Sequence, residues 1–165
     1  MANLFRRILV PHDFSVHATR ALRVAADLAA RHGGRLMVLH AITPFTPISG
    51  FPAVEEMAWI PPADLVAHER RQLNALVKRT APARSGVRAD VQVIVGDPFL
   101  QILEAARGVN LIVMATAGRT GLSHLLIGSV AEKVVRHSPV PVLTLRPTGT
   151  RTRKKAGRRR EGRRK

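Results

Sequence analysis

The feature that most constrains the fold is a regular alternation of short apolar runs with longer segments of helical periodicity. Five runs of four to seven residues have strand character, and four helical segments separate them. Because a strand, a helix and another strand joined in this way form a right-handed crossover, the alternation indicates a parallel sheet with helices on both faces. We therefore predict an α/β fold, a three-layer sandwich around a five-stranded parallel sheet.

The ends of the predicted helices carry their own signals. Gly33-Gly34 follows the first helix as a C-cap, and Asp97 precedes the third as an N-cap, with Pro98 at the first helical position. Residues 43–62 hold five prolines without periodicity, which predicts a long loop. That loop is either a lid over a ligand or a seal at the core edge or a dimer contact. The predicted strands span 6–11, 35–41, 91–95, 109–115 and 142–145. The predicted helices span 15–32, 63–80 and 129–137, and a further helix begins at 98.

Sheets of this kind bind ligands beyond the carboxyl ends of their strands, where the winding direction reverses. If the first and fourth strands are neighbours, two segments face that crevice. One is Pro11-His12-Asp13 and the other is the loop after Ala115. An aspartate followed by Phe-Ser before a helix is also ordinary turn chemistry, so Asp13 has a structural alternative to a binding role.

The loop after the fourth strand contains several glycines and leads into a helix at Gly128-Ser129. Glycines let a backbone approach an anion closely, and the free amides of the following helix turn can bind a phosphate. The same residues also fit a capping box, with Ser129 as N-cap and Glu132 three positions later. Both interpretations remain open at this stage.

Two separated motifs resemble those of the universal stress protein family. Residues 118–143 resemble its C-terminal signature, residues 8–15 its N-terminal signature, and residues 38–41 its second strand. The resemblance covers about residues 4–146 and implies a Rossmann-like, adenine-nucleotide hydrolase-like fold. ATP-binding members of the family have a glycine, two further residues, a second glycine, nine further residues and then Gly-Ser or Gly-Thr. Here that spacing is kept by Gly118 and Gly128-Ser129, but Ala115 replaces the first glycine.

The resemblance implies a stress-response sensor or adaptor that binds ATP, with Mg²⁺ near the phosphates. It also implies a homodimer formed through the last strand, Val140 to Leu145. The alternative is a nucleotide-free dimer whose basic tail binds nucleic acid or another polyanion. The implied nucleoside contacts are Pro11, His12, Asp13, the backbone of Ala41, Met114 and Ala115, and the implied phosphate contacts are Gly118, Gly128, Ser129 and Val130.

Catalytic signatures are missing from the sequence. There is no HExxH pattern, no G-x-S-x-G elbow and no G-K-[ST] loop, so we predict neither catalytic residues nor a dedicated metal site. Any ATP hydrolysis is expected to be slow, because no general base is evident near the phosphates. We interpret His40, which lies in an apolar strand, as a hydrogen-bonded core histidine.

The net charge of +16 is concentrated at one end. Residues 148–165 contain ten basic and one acidic residue, so we divide the chain into a domain over 1–147 and a disordered basic tail over 148–165. The tail either contacts polyanions non-specifically or is a solvated extension; it lacks aromatic residues for base stacking. The absence of cysteine, of a signal peptide and of any long apolar segment leads us to expect a cytoplasmic protein without membrane insertion.

Overall fold

The computed structural model describes residues 4–44, 61–80, 86–117 and 128–147, and within them the predicted alternation is confirmed. The loop prediction for 43–62 falls largely outside these residues, and the tail prediction for 148–165 entirely. Among the described residues, no helix combines the length and apolar character needed to cross a membrane. The elements in chain order are β1 (Arg7–Pro11), α1 (Val16–His32), β2 (Arg35–Ile42), α2 (Ala63–Thr80), β3 (Arg88–Val95), α3 (Pro98–Ala106), β4 (Leu111–Ala115), α4 (Ser129–His137) and β5 (Val142–Leu145).

The strands form one five-stranded parallel sheet, as predicted, and their order is β3-β2-β1-β4-β5. Strand β1 is central: Ile8 is in register with Leu36 of β2 on one side and with Leu111 of β4 on the other. The winding therefore reverses between β1 and β4, which creates the expected crevice at their carboxyl ends.

Alternating side chains of the strands divide the interior into two cores. In β1, Ile8 and Val10 belong to the core that contains residues of α1 and α2, while Leu9 belongs to the core that contains residues of α3 and α4. All three side chains are completely buried. A strand covered on both faces is apolar throughout, which explains why the apolar runs identified these strands so clearly.

Two strands begin more than one residue away from their predicted start. Strand β3 begins at Arg88 rather than Val91, because all eight of its residues pair with β2. Strand β4 begins at Leu111 rather than Val109, because the amide of Val109 donates to the carbonyl of Ala106 (3.3 Å) and so belongs to the turn after α3.

The predicted helix caps are confirmed. The Asp97 side chain accepts a hydrogen bond from the amide of Leu100 (3.0 Å), with Pro98 following as the first helical residue. Gly33 ends α1 in the left-handed conformation, with φ of 64°. Next to it, the amide of Gly34 donates to the carbonyl of Ala29 (2.8 Å), which completes the cap.

Of the glycines that the structure describes, Gly34 is the one at which a side chain is least tolerable. A Cβ there would overlap the carbonyl oxygen of Phe5, whereas a Cβ at Gly108 would lie 3.7 Å from its nearest neighbour, the carbonyl oxygen of Ala105. We expect Gly34→Ala to lower the free energy of unfolding by about 1–3 kcal/mol, as overpacking does. We expect Gly108→Ala to lower it little or not at all. Urea denaturation of both variants measures the difference; equal stabilities would contradict the close approach at Gly34.

Candidate functional site

A cavity of about 670 Å³ lies at the carboxyl edge of the sheet, between the ends of β1 and β4. Such a volume is typical of small-molecule sites. Its lining includes the end of β1, the end of β2, and β4 together with the start of α4. Of the predicted site residues, the cavity is lined by Pro11, His12, Asp13, Ala41, Met114, Ala115, Gly128, Ser129 and Val130, while Gly118 lies outside the described residues.

The turn after β1 is fixed by hydrogen bonds between side chains and backbone. Asp13 Oδ1 accepts from the amide of Ser15 (3.0 Å), and Ser15 Oγ accepts from the amide of Ala18 (3.0 Å) as the N-cap of α1. The structural alternative for Asp13 is therefore real. Asp13 also lines the cavity.

Phe14 stores backbone strain in this turn. Its φ of 65° is the only positive φ at a non-glycine residue in the described part of the chain. Its ring lies edge-on to His12 and to His40, with ring centroids 5.7 and 4.8 Å away. Strain of this kind persists only where the surroundings hold the backbone in place, and it is concentrated at functional sites.

His12 is buried and has a defined tautomer. Its Nδ1 accepts from the amide of Phe14 (3.0 Å), so the proton of the neutral ring is on Nε2 and is donated to Thr19 Oγ1 (3.3 Å). Thr19 in turn donates to the carbonyl of Ser15 (3.0 Å). Burial lowers the pKa of His12 to about 4, against a smaller rise due to the charge of Asp13. His12 is therefore neutral at physiological pH.

His40 is the hydrogen-bonded core histidine that the sequence predicted. It is buried, and its Nδ1 donates to the carbonyl oxygen of His12 (2.7 Å). This bond connects the end of β2 to the turn after β1. His40 also lines the cavity, which the sequence did not indicate, because a residue inside an apolar strand gave no sign of how close it lies to the strand's open end.

The other end of the cavity is formed by the start of α4. The capping-box interpretation of Ser129 is wrong: Gly128 is the N-cap, with φ of −59° and ψ of 147°, and Ser129 is the first helical residue. No side chain caps this helix, and the Glu132 carboxylate instead accepts from Arg136 (3.0 Å). The amide of Gly128 donates to the carbonyl of Thr116 (2.7 Å), and this bond connects the start of α4 to the end of β4.

This arrangement presents polar donors to the cavity. The first amides of a helix have no partner within the helix, so those of Ser129 and Val130 are available to an anion. The Ser129 hydroxyl lies beside them and is not used for capping. The positive end of the helix dipole adds to this preference for negative charge.

Sequence reasoning missed the contribution of three helices. Ala18 of α1 lines the cavity, as do Leu65 and Glu69 of α2 and Pro98 at the start of α3. Pro98 could have been found, because a helix that follows β3 must begin at the same edge of the sheet. The residues of α2 gave no signal, since the rotation of a helix about its axis depends on its packing. Among the described residues, no three His, Asp or Glu side chains converge to hold a metal ion.

Comparison with known proteins gives a consistent result. The model of the Universal stress protein family matches residues 4–146. A universal stress protein of Thermus aquaticus is 40% identical over 147 residues, covering 87% of this chain and 100% of its own length. The solved structure of MJ0577 from Methanocaldococcus jannaschii is 27% identical with a TM-score of 0.70, covering 90% of this chain and all of its own. A universal stress protein in complex with cAMP has the same fold at 23% identity and a TM-score of 0.59, covering 87% and 98%.

The low pKa of His12 predicts a pH-dependent stability. The pKa of the His12 ring is 6.5 in the unfolded chain and about 4 in the folded chain. The stability that comes from keeping this ring neutral is therefore fully present above pH 6.5 and is lost as the pH falls through about 4. At pH 5 this amounts to about 2 kcal/mol of unfolding free energy relative to pH 7. His12→Asn keeps an acceptor for the Phe14 amide but does not titrate, so it should lose less stability than the parent between these pH values.

Chemical denaturation at pH 7 and pH 5 measures this difference. The exposed histidine of α2, His68, provides the matched control, and His68→Asn should behave like the parent chain. If His12→Asn and the parent lose stability equally between the two pH values, His12 is not the buried neutral group described above.

Proposed function

This chain belongs to the universal stress protein family, and from that premise we propose that it binds ATP in the cavity between β1 and β4. It would act in the cytoplasm as a nucleotide-dependent sensor or adaptor of the stress response. The observation that carries the proposal is the convergence of separated segments on one cavity: the end of β1, Ala41, and the start of α4. The same fold in a universal stress protein bound to cAMP supports an adenine nucleotide as the ligand.

The two ends of the cavity suit the two ends of the nucleotide. At the β1 end, Asp13 supplies a carboxylate that can accept hydrogen bonds from ribose hydroxyls, and apolar Pro11 and Met114 can contact the nucleoside. At the α4 end, Ser129 and Val130 offer their amides to the phosphates and Ser129 also offers its hydroxyl, with Gly128 lining the cavity beside them. Gly118 is proposed to join them from the loop that precedes α4.

Ala115 does not block this cavity. It is the last residue of β4 and lines the site in the place of the family's first glycine. Since it pairs with Leu145 of β5 as an ordinary strand residue, its position does not demand the conformational freedom of glycine. The added methyl group instead contributes apolar surface next to the nucleoside.

Binding rather than turnover is the function proposed for this site. Mg²⁺ would be held chiefly by the phosphates, as is common for this ion. Among the described lining residues, those at the α4 end include no carboxylate and no histidine to activate a water molecule. His12 is at the opposite end, and both its ring nitrogens already make hydrogen bonds. Any hydrolysis of ATP is therefore expected to be slow.

The last strand is proposed to form a homodimer. Strand β5 lies at the edge of the sheet, where its outer backbone groups have no neighbouring strand among those described. Leu143 on this strand and Val135 on α4 are both exposed. An apolar edge strand of this kind is commonly paired with another strand, and a second copy of this chain would cover it.

The nucleotide proposal predicts that a negative charge at the start of α4 weakens ATP binding. Ser129→Glu would place a carboxylate beside the proposed phosphates, and repulsion at contact distance should reduce the affinity about tenfold or more. The charge itself does not destabilise the fold, since an acid in a first helical turn is favourable. Val16→Glu is the matched control, because Val16 is the first residue of α1, is exposed, and does not line the cavity.

Calorimetric titration with Mg-ATP measures both variants against the parent, and nucleotide released on denaturing the purified protein gives a second readout. No binding by the parent at millimolar ATP, or equal affinities of the parent and Ser129→Glu, would overturn the proposal.

The dimer proposal predicts that Leu143→Asp shifts the chain toward the monomer. A carboxylate at the edge strand would be buried without a partner in the dimer, which is costly. Leu100→Asp is the control, since Leu100 is an equally large exposed side chain on α3. Sedimentation velocity should show a monomer for the first variant and a dimer for the second. A monomeric parent chain, or a Leu143→Asp dimer as tight as that of the parent, would contradict this assembly.

A further inference from the structure

Several helices carry charged side chains that match the helix dipole. Each helix runs against the parallel strands, so the helices begin at the carboxyl edge and end at the amino edge. Asp64 of α2 and Glu132 of α4 lie in first turns, and Arg31 of α1 and Arg79 of α2 lie in last turns. Compensation of the helix dipoles accounts for this polarity.

A second set of basic residues at the amino edge has no such explanation. Arg7, Arg35 and Arg88 are the first residues of β1, β2 and β3, and they are in register across these strands. In-register partners of a parallel sheet project to the same face, with neighbouring strands about 4.8 Å apart. The three guanidinium groups therefore start from one row across the sheet.

These three residues and Arg6 line a groove of about 380 Å³, called here the arginine groove. The rest of its lining is mostly glycine and alanine, including Gly33 and Gly34 at the end of α1. Small residues leave the groove open to a ligand backbone. The groove lies at the opposite edge of the sheet from the nucleotide cavity, and the two share no lining residue.

Within the described part of the chain, no arginine of the groove forms an ion pair. The ion pairs of the described residues join Arg107 to Glu104 and Arg136 to Glu132, and neither involves an arginine of the groove. Arg7 donates to the carbonyl of Gly108 (3.3 Å), which is neutral. Like charges on adjacent strands repel one another, so an external anion would relieve a cost that the fold itself does not offset.

We propose that the arginine groove is a second ligand site and that it binds a chain of phosphate groups. Arginine presents planar donors that match phosphate oxygens in pairs, which favours phosphate over a single carboxylate. A row of charges on successive strands suits a ligand with charges repeated along its length. Single-stranded nucleic acid and inorganic polyphosphate both offer this chemistry, and the proposal does not depend on nucleotide binding at the opposite edge.

The test uses the full chain, so that the basic tail is present in every sample. The probe is a fluorescein-labelled oligodeoxythymidine of about 20 nucleotides, and its affinity is measured by anisotropy over a range of salt concentrations. The variant Arg35→Gln/Arg88→Gln removes two charges from the groove. The matched control, Arg23→Gln/Arg71→Gln, removes two exposed charges from α1 and α2, at positions that do not line the groove.

We expect the groove variant to bind about tenfold more weakly, with a salt slope smaller by about 1.4, because each lost phosphate contact of a single strand contributes about 0.7. The control should keep the parent slope. Equal affinities and slopes for the two double variants would overturn the proposal, since net charge or the tail alone would then explain binding.

A competition experiment identifies which of the two ligands the groove prefers. Unlabelled oligodeoxythymidine and inorganic polyphosphate are compared as competitors at equal phosphate concentration. Unchanged Mg-ATP binding by the groove variant keeps this result separate from the nucleotide proposal.

Discussion

The pairing of β1 with both β2 and β4 determines where this protein can hold a ligand. From β1 the chain winds outward through β2 to β3, then returns past β1 to β4 and continues to β5. The helices that follow these two strands, α1 and α4, pack on opposite faces of the sheet. The crevice is thus a consequence of strand order, and the residues at the ends of these two strands line it whatever their identity.

The turn after β1 converts this general crevice into a specific surface. The strained backbone of Phe14 is held by a hydrogen bond from its own amide to His12, and His12 is in turn tied to Thr19 on α1. His40 binds the carbonyl of His12 from β2. Three elements thereby fix one short turn, and Asp13 lies at its centre. Because the network requires a neutral His12, the low pKa of this ring and the shape of the site have the same structural origin.

The sequence predicted the strands and the part of the cavity lining at the strand ends for a simple reason: both depend on position along the chain. Buried parallel strands are apolar at every residue, and their carboxyl ends are known as soon as their limits are known. The predictions that were wrong or incomplete concerned features that depend on local geometry or on packing. The capping box at Ser129 is a valid pattern, but the N-cap of α4 is Gly128, whose amide donates to the Thr116 carbonyl. Glu69 was missed because its direction follows from how α2 packs against the sheet.

The two proposed sites would attract phosphates by different physical means. At the carboxyl edge the attraction comes from backbone amides and the helix dipole of α4, which act at short range within a partly enclosed cavity. At the amino edge it comes from exposed guanidinium groups, whose charges are screened by salt over about 10 Å at 0.1 M. Binding in the cavity should therefore persist at salt concentrations that release a polyanion from the arginine groove. The two proposed kinds of anion recognition thus lie at opposite edges of the parallel sheet. Every helix begins at the carboxyl edge, whereas the arginines of the groove row, Arg7, Arg35 and Arg88, are the first residues of their strands at the amino edge.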